Sequence, residues 1–126
     1  MSCQEKPRLL IADDDPNLLD AYVLYFTTLG FEIRTARNGL DALALYCAWH
    51  PDAALLDVEM PRLDGRAVAR RIRYVGAWPT PTLVAVSGLA RDEERRESLR
   101  SGFDAHFVKP VAMPLVLAAL TRRAGH

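Results

Sequence analysis

The stretch "LLIADDDPN", Leu9 to Asn17, decides how the rest of the chain is read. An aliphatic run ends abruptly in Asp13, Asp14 and Asp15, and Pro16 follows at once. A short apolar run of this kind suits a strand buried on both faces. Aspartate before proline suits the start of a helix, with Asp15 as N-cap and Pro16 in the first helical position. The segment therefore reads as strand Arg8–Ala12 running straight into helix Pro16–Leu29, closed at Gly30. The cap accounts for Asp15. It leaves Asp13 and Asp14 unexplained, because adjacent carboxylates repel unless they are hydrated or paired.

The same alternation recurs downstream. Phe31–Ala36 reads as a strand, Asn38-Gly39 as a turn into helix Leu40–Trp49, and Ala53–Leu56 as an apolar strand ending at Asp57. The loop "VEMPRLDG" leads to helix Arg66–Tyr74, with Asp64-Gly65 as its turn and cap. After Trp78-Pro79-Thr80-Pro81 come strand Thr82–Val86, Ser87-Gly88, helix Asp92–Ser101, strand Ala105–Val108, Lys109-Pro110 and a helix from Met113 to about Arg122. Five βα units with short apolar strands predict an α/β fold: a three-layer α/β/α sandwich around a five-stranded parallel sheet. Right-handed crossovers leave few strand orders, and the doubly wound, flavodoxin-like order 2-1-3-4-5 is the one expected.

A chain of 126 residues is one domain's worth, and residues 1–126 read as a single domain with a core from about 7 to 122. The 16 basic and 16 acidic residues cancel, so no global field draws the chain to nucleic acid or an anionic membrane. No apolar run is long enough to span a bilayer, and no signal peptide is recognisable. Cys3 and Cys47 fit no metal or redox spacing and read as reduced thiols, consistent with a cytoplasmic domain. His50 and His126 read as surface residues.

In a doubly wound sheet, ligands bind beyond the carboxyl ends of the strands where the winding reverses, here between strands 1 and 3. Strand 1 ends at Asp13-Asp14, strand 3 at Asp57, strand 4 at Ser87-Gly88 and strand 5 at Lys109. Strand 2, farthest from the reversal on its side, ends in Ala36-Arg37-Asn38 and brings no acid. Three clustered carboxylates call for a cation, and hard oxygen ligands with room for water suit Mg²⁺. An acid cluster, a lysine and a hydroxyl are the parts that stabilise a transferring phosphoryl group.

The segments "LLIADDDP", "LLDVEMPRLDG", "VAVSG" and "HFVKP" together resemble the response-regulator receiver domain of two-component signalling, over about Pro7 to Leu120. The resemblance implies that Asp57 accepts a phosphoryl group from a histidine kinase or histidine phosphotransfer domain. It implies Mg²⁺ held by Asp14 and Asp57 directly, by Asp13 through water, and by the backbone carbonyl of Glu59. Lys109 corresponds to the lysine that pairs with the phosphoryl oxygens, before a peptide bond to Pro110 that is usually cis in the family. Ser87 corresponds to the switch hydroxyl, with backbone N–H groups at Val58 and Gly88 as further donors. Such a domain catalyses its own phosphorylation and dephosphorylation and then binds a downstream protein, without being a turnover enzyme.

Three departures from the family pattern qualify the carry-over and weaken the expected switch. His106 stands where a switching Tyr or Phe is usual and is expected to turn inward when Ser87 is drawn to the phosphoryl group. Val111 stands where Phe is common, and Glu59 puts a carboxylate beside the phosphoryl site. Helix 4, "RDEERRESLR", has almost no apolar residue beyond Leu99 and reads as loosely held. Leu115–Leu120 is apolar on all sides, and Leu18 and Tyr25 flank the core stripe of helix 1; both are docking candidates. The surroundings of Lys109 resemble receiver modules fused to histidine kinases, so both a stand-alone regulator and a module of a hybrid kinase stay open. Two other classes are weighed against this reading. A haloacid-dehalogenase-type phosphohydrolase would prefer Asp at position 59 and would leave Asp13 and Asp14 idle; a receiver-shaped binding module would need none of the acids.

Overall fold

Helix and strand boundaries are set by side chains that cap them. In the computed structural model, which describes residues 6–76 and 79–121, Asp15 accepts hydrogen bonds from the Asn17 and Leu18 amides at the start of the first helix. Asn38 accepts one from Asp41 N at 2.8 Å, and Asp64 one from Ala67 N at 2.8 Å. The elements are β1 (Arg8–Ala12), α1 (Pro16–Thr28), β2 (Glu32–Ala36), α2 (Gly39–Trp49), β3 (Ala53–Asp57), α3 (Gly65–Val75), β4 (Thr82–Ser87), α4 (Asp92–Arg100), β5 (Ala105–Val108) and α5 (Met113–Thr121). Each differs from the sequence reading by a residue or two at most. Arg122, Trp78, Cys3 and His126, which that reading also named, lie outside the described residues.

All pairings are parallel, and the order is β2-β1-β3-β4-β5, as expected. The strands alternate between two apolar layers. Leu10, Ala12, Ala54, Leu56, Leu83 and Ala85 face Tyr46 of α2 and Val68 and Ile72 of α3. Leu9, Ile11, Leu55, Val84 and Val86 face Tyr22 and Phe26 of α1 and Val116 and Leu120 of α5. Both faces of the central strands are therefore buried, which is why they read as continuous apolar runs.

Close approach fixes the loop after β3. A Cβ on Gly65 would collide with the backbone carbonyl of Asp57, and Gly65 N donates to Val58 O at 3.0 Å. Glycine there lets the 58–64 loop fold back over the end of its own strand. No described helix is long and apolar enough to cross a membrane.

Helix α4 is attached differently from the others. Its buried residue is Ser98, while Leu99 is exposed. Arg66 of α3 donates to Ser98 Oγ at 3.2 Å, to the Glu94 carbonyl at 2.8 Å and to Glu94 Oε1 at 2.9 Å. Arg70 donates to Ser101 Oγ at 3.2 Å. The helix lacks an apolar face, as its sequence says, and polar bonds hold it instead.

Candidate functional site

The carboxyl ends of β1, β3 and β5 bring Asp13, Asp57 and Lys109 together. Asp13 is fully buried and Asp57 is 2% exposed, while Asp14 faces solvent. One carboxylate oxygen from each of the three aspartates lies within 4.8 Å of the others. Asp13 Oδ1 accepts from Asp15 N at 2.9 Å, and its Oδ2 lies 3.0 Å from Lys109 Nζ. The same ammonium lies 3.2 Å from Asp57 Oδ2. Lys109 thus bridges the two buried acids. Lys109–Pro110 is cis.

The electrostatics follow from burial and crowding. Desolvation, then the charge of Asp13, pushes Asp57 up to about 6, against the lowering pull of Lys109. Burial alone would lower the Lys109 pKa, but its hydrogen bonds and charge contacts with Asp13 and Asp57 outweigh this and hold it above its usual value. Tyr22 of α1 lies beneath the cluster; burial, then Asp13, raises its pKa. Together with Leu18, Lys109, Pro110, Val111 and Met113 it lines a largely apolar groove beside the acids. Tyr25, named with Leu18 as a docking candidate, instead packs edge-on against Phe26 with ring centroids 5.0 Å apart.

Position 59 holds the least anticipated contacts. Glu59 Oε2 accepts from the Ser87 hydroxyl at 2.6 Å, and its Oε1 accepts from Gly88 N at 2.9 Å. Ser87 Oγ in turn accepts from Leu89 N at 3.0 Å, which leaves the hydroxyl proton for Glu59. Glu59 N donates to Asp57 Oδ1 at 3.1 Å. One expectation needs correcting here. The Val58 amide is not an open donor: it is bound to Val86 O at 2.9 Å, extending the β3–β4 ladder. The donor aimed at the Asp57 carboxylate is the Glu59 amide, one residue further on.

His106 is held within the fold. Its partner across the sheet is Ala85, so its side chain lies on the α3–α4 face. The ring lies inside, 8% exposed, and Nδ1 lies 2.8 Å from Ser98 Oγ. Arg66 Nε donates to that same oxygen, so the Ser98 hydroxyl joins the α3 arginine to the imidazole of β5. Burial, followed by the Arg66 charge, lowers the His106 pKa, in keeping with a neutral ring. Nε2 is buried with no hydrogen-bond partner among the described residues. Ser98 and Arg66 carried no sequence signal for this role, since serine and arginine in charged helices read as solvated.

Comparison with known proteins agrees with the geometry. The sequence profile of the response regulator receiver domain matches residues 9–121. The chain is 39% identical over 123 residues to response regulator MprA of Mycobacterium sp. (strain KMS), covering 94% of this chain and 52% of that protein. It is 34% identical over 113 residues to sensor histidine kinase RcsC of Escherichia coli (strain K12), covering 90% of this chain and 12% of the kinase. It therefore spans about half of one relative and a small part of the other. Among solved structures, a chain of the CheX-CheY-BeF3-Mg²⁺ complex of Borrelia burgdorferi matches with a TM-score of 0.85 at 26% identity, covering 94% of this chain and 89% of that one.

Proposed function

The chain belongs to the response regulator receiver domain family of two-component signalling, and on that premise we propose that Asp57 is its phosphoacceptor. The observation that carries the reading is the bridge of Lys109 across Asp13 and Asp57 at the carboxyl ends of the central strands. A carboxylate oxygen of Asp57 attacks the phosphorus of a phosphohistidine on a kinase or phosphotransfer protein. The new O–P bond forms as the P–N bond breaks, and the departing imidazole leaves neutral once protonated. Lys109 balances the charge on the phosphoryl oxygens; Glu59 N–H, aimed at the Asp57 carboxylate, and Ser87 Oγ and Gly88 N–H, once released from the Glu59 carboxylate, are their donors.

The donor set suits Mg²⁺. Three carboxylate oxygens within 4.8 Å are hard ligands, and one of the acids faces water, as a partly hydrated ion requires. Burial, then the neighbouring charge of Asp13, raises the Asp57 pKa, and a cation at the site would favour the ionised carboxylate. Asp14 and Asp57 would bind such an ion directly, Asp13 through water, and the Glu59 carbonyl would complete the protein ligands. Bound there, it would offset charge on the transferring phosphoryl group.

A downstream protein would read the phosphorylated form, in a free regulator or within a longer polypeptide such as a hybrid kinase. The hydrolase alternative finds no support, because Glu59 is bound to Ser87 and Gly88 and Asp13 belongs to the site. Incubation with acetyl phosphate and Mg²⁺ should add one phosphoryl mass, labile to base. Asp57→Asn should fold and stay unlabelled; full labelling of that variant would remove Asp57 from the role.

A further inference from the structure

We infer that Glu59 is a built-in occupant of the phosphoryl pocket: its side-chain carboxylate takes the hydrogen bonds of Ser87 and Gly88 that a phosphoryl group on Asp57 would need. The inference rests on the proposed role of Asp57. Both donors are engaged at short range, at 2.6 and 2.9 Å, by the two oxygens of one carboxylate. Such a two-point grip on an anion is what the pocket would offer phosphoryl oxygens. The grip also orients the hydroxyl. With Leu89 N donating to Ser87 Oγ, the serine proton is committed to Glu59.

The contacts beyond Ser87 fit an occupied pocket. Leu83, Ala85 and Ser87 alternate onto one face of β4, and His106 pairs with Ala85 on that face. The imidazole is buried and bound to Ser98, which is the inward position expected of this residue once Ser87 has been drawn toward an anion. An inward His106 thus accompanies a Ser87 whose hydroxyl is held by a carboxylate. Phosphorylation must then expel Glu59, since two anions cannot share the same donors without repulsion. Glu59 is exposed on the loop after β3, so its side chain can swing into water without disturbing the core. It is a competitor for the pocket and a positioning residue for Ser87, distinct from the metal-binding role of its own carbonyl.

Removing the carboxylate tests this. Beryllofluoride with Mg²⁺, a phosphoryl stand-in, should bind Glu59→Ala at least about tenfold more tightly than wild type, followed by ¹⁹F NMR. In the ligand-free proteins, the Gly88 amide and His106 ring signals should move in Glu59→Ala, and Glu59→Gln, which keeps an acceptor oxygen but not the charge, should fall between. Equal affinity in wild type and Glu59→Ala, or unmoved Gly88 and His106 signals in the ligand-free proteins, overturns the inference while leaving the phosphoacceptor reading intact. Failure of both proteins to bind beryllofluoride overturns the phosphoacceptor reading itself, and the inference with it.

Discussion

A single carboxylate carries much of the tension between stability and function. Asp57 ionises at about 6 in the folded protein against 3.8 for an ordinary aspartate. Between those values the folded state binds more protons than the unfolded one, so this group's contribution to stability falls as pH rises through the window and stays unfavourable above it. A rise of about two units corresponds to at most on the order of 3 kcal/mol. Without divalent ions, Asp57→Asn should therefore be more stable than wild type at pH 7.5 by about 1–3 kcal/mol in urea unfolding. The gain should disappear below about pH 4, where the acid is protonated in both states. An Asn variant that is weaker at neutral pH, or a difference that ignores pH, would contradict this origin of the shift. Asp13, Asp57 and Lys109 were legible in the sequence because each sits at the end of an apolar strand. The grip of Glu59 on Ser87 was not, because it depends on how the loop after β3 folds back over Gly65.

Helices differ in how much of their attachment a sequence discloses. In α1, Leu19, Tyr22 and Phe26 recur at helical spacing and are all buried, while Leu24 is left outside. In α5, the uniformly apolar sequence hides a division that only packing creates: Val116, Ala119 and Leu120 go inward, Leu115 outward. In α4 the pattern misleads. The eye goes to Leu99, but the buried residue is Ser98, whose hydroxyl links Arg66 to His106. Its ends are still well formed for a helix dipole, with Asp92, Glu93 and Glu94 in the first turn and Arg100 in the last. Because Arg66 supplies three of its bonds, Arg66→Ala should loosen α4 specifically. A loss of about 1–3 kcal/mol locally would speed amide exchange across Asp92–Arg100 by roughly tenfold to a hundredfold, with α1 unchanged. Unaltered exchange in α4 would mean that backbone contacts with β5, and not the arginine, hold it.

At the scale of the molecule, strand order does the work of bringing distant residues together. Asp13 and Lys109 are 96 positions apart and meet at 3.0 Å, because β1 and β5 end on the same rim of a parallel sheet. That topology was readable from the apolar strands and short connections, since few right-handed windings accommodate them. It also makes the acid cluster a property of the fold: the aspartates approach one another only when β1 and β3 are paired. A ligand that needs them together must therefore stabilise the whole domain, by an amount set by its concentration relative to Kd. At tenfold above Kd, Mg²⁺ should add about 1.4 kcal/mol, a rise in Tm on the order of 5 °C for a domain of this size. Asp14→Ala removes the solvent-facing carboxylate of the cluster while leaving the buried Asp13–Lys109–Asp57 bridge in place. Its Tm should match wild type without metal and respond little to Mg²⁺. Equal Mg²⁺-induced shifts in the two proteins would place the ion, if one binds, away from Asp14, and the acid cluster would then have to be explained by its lysine alone.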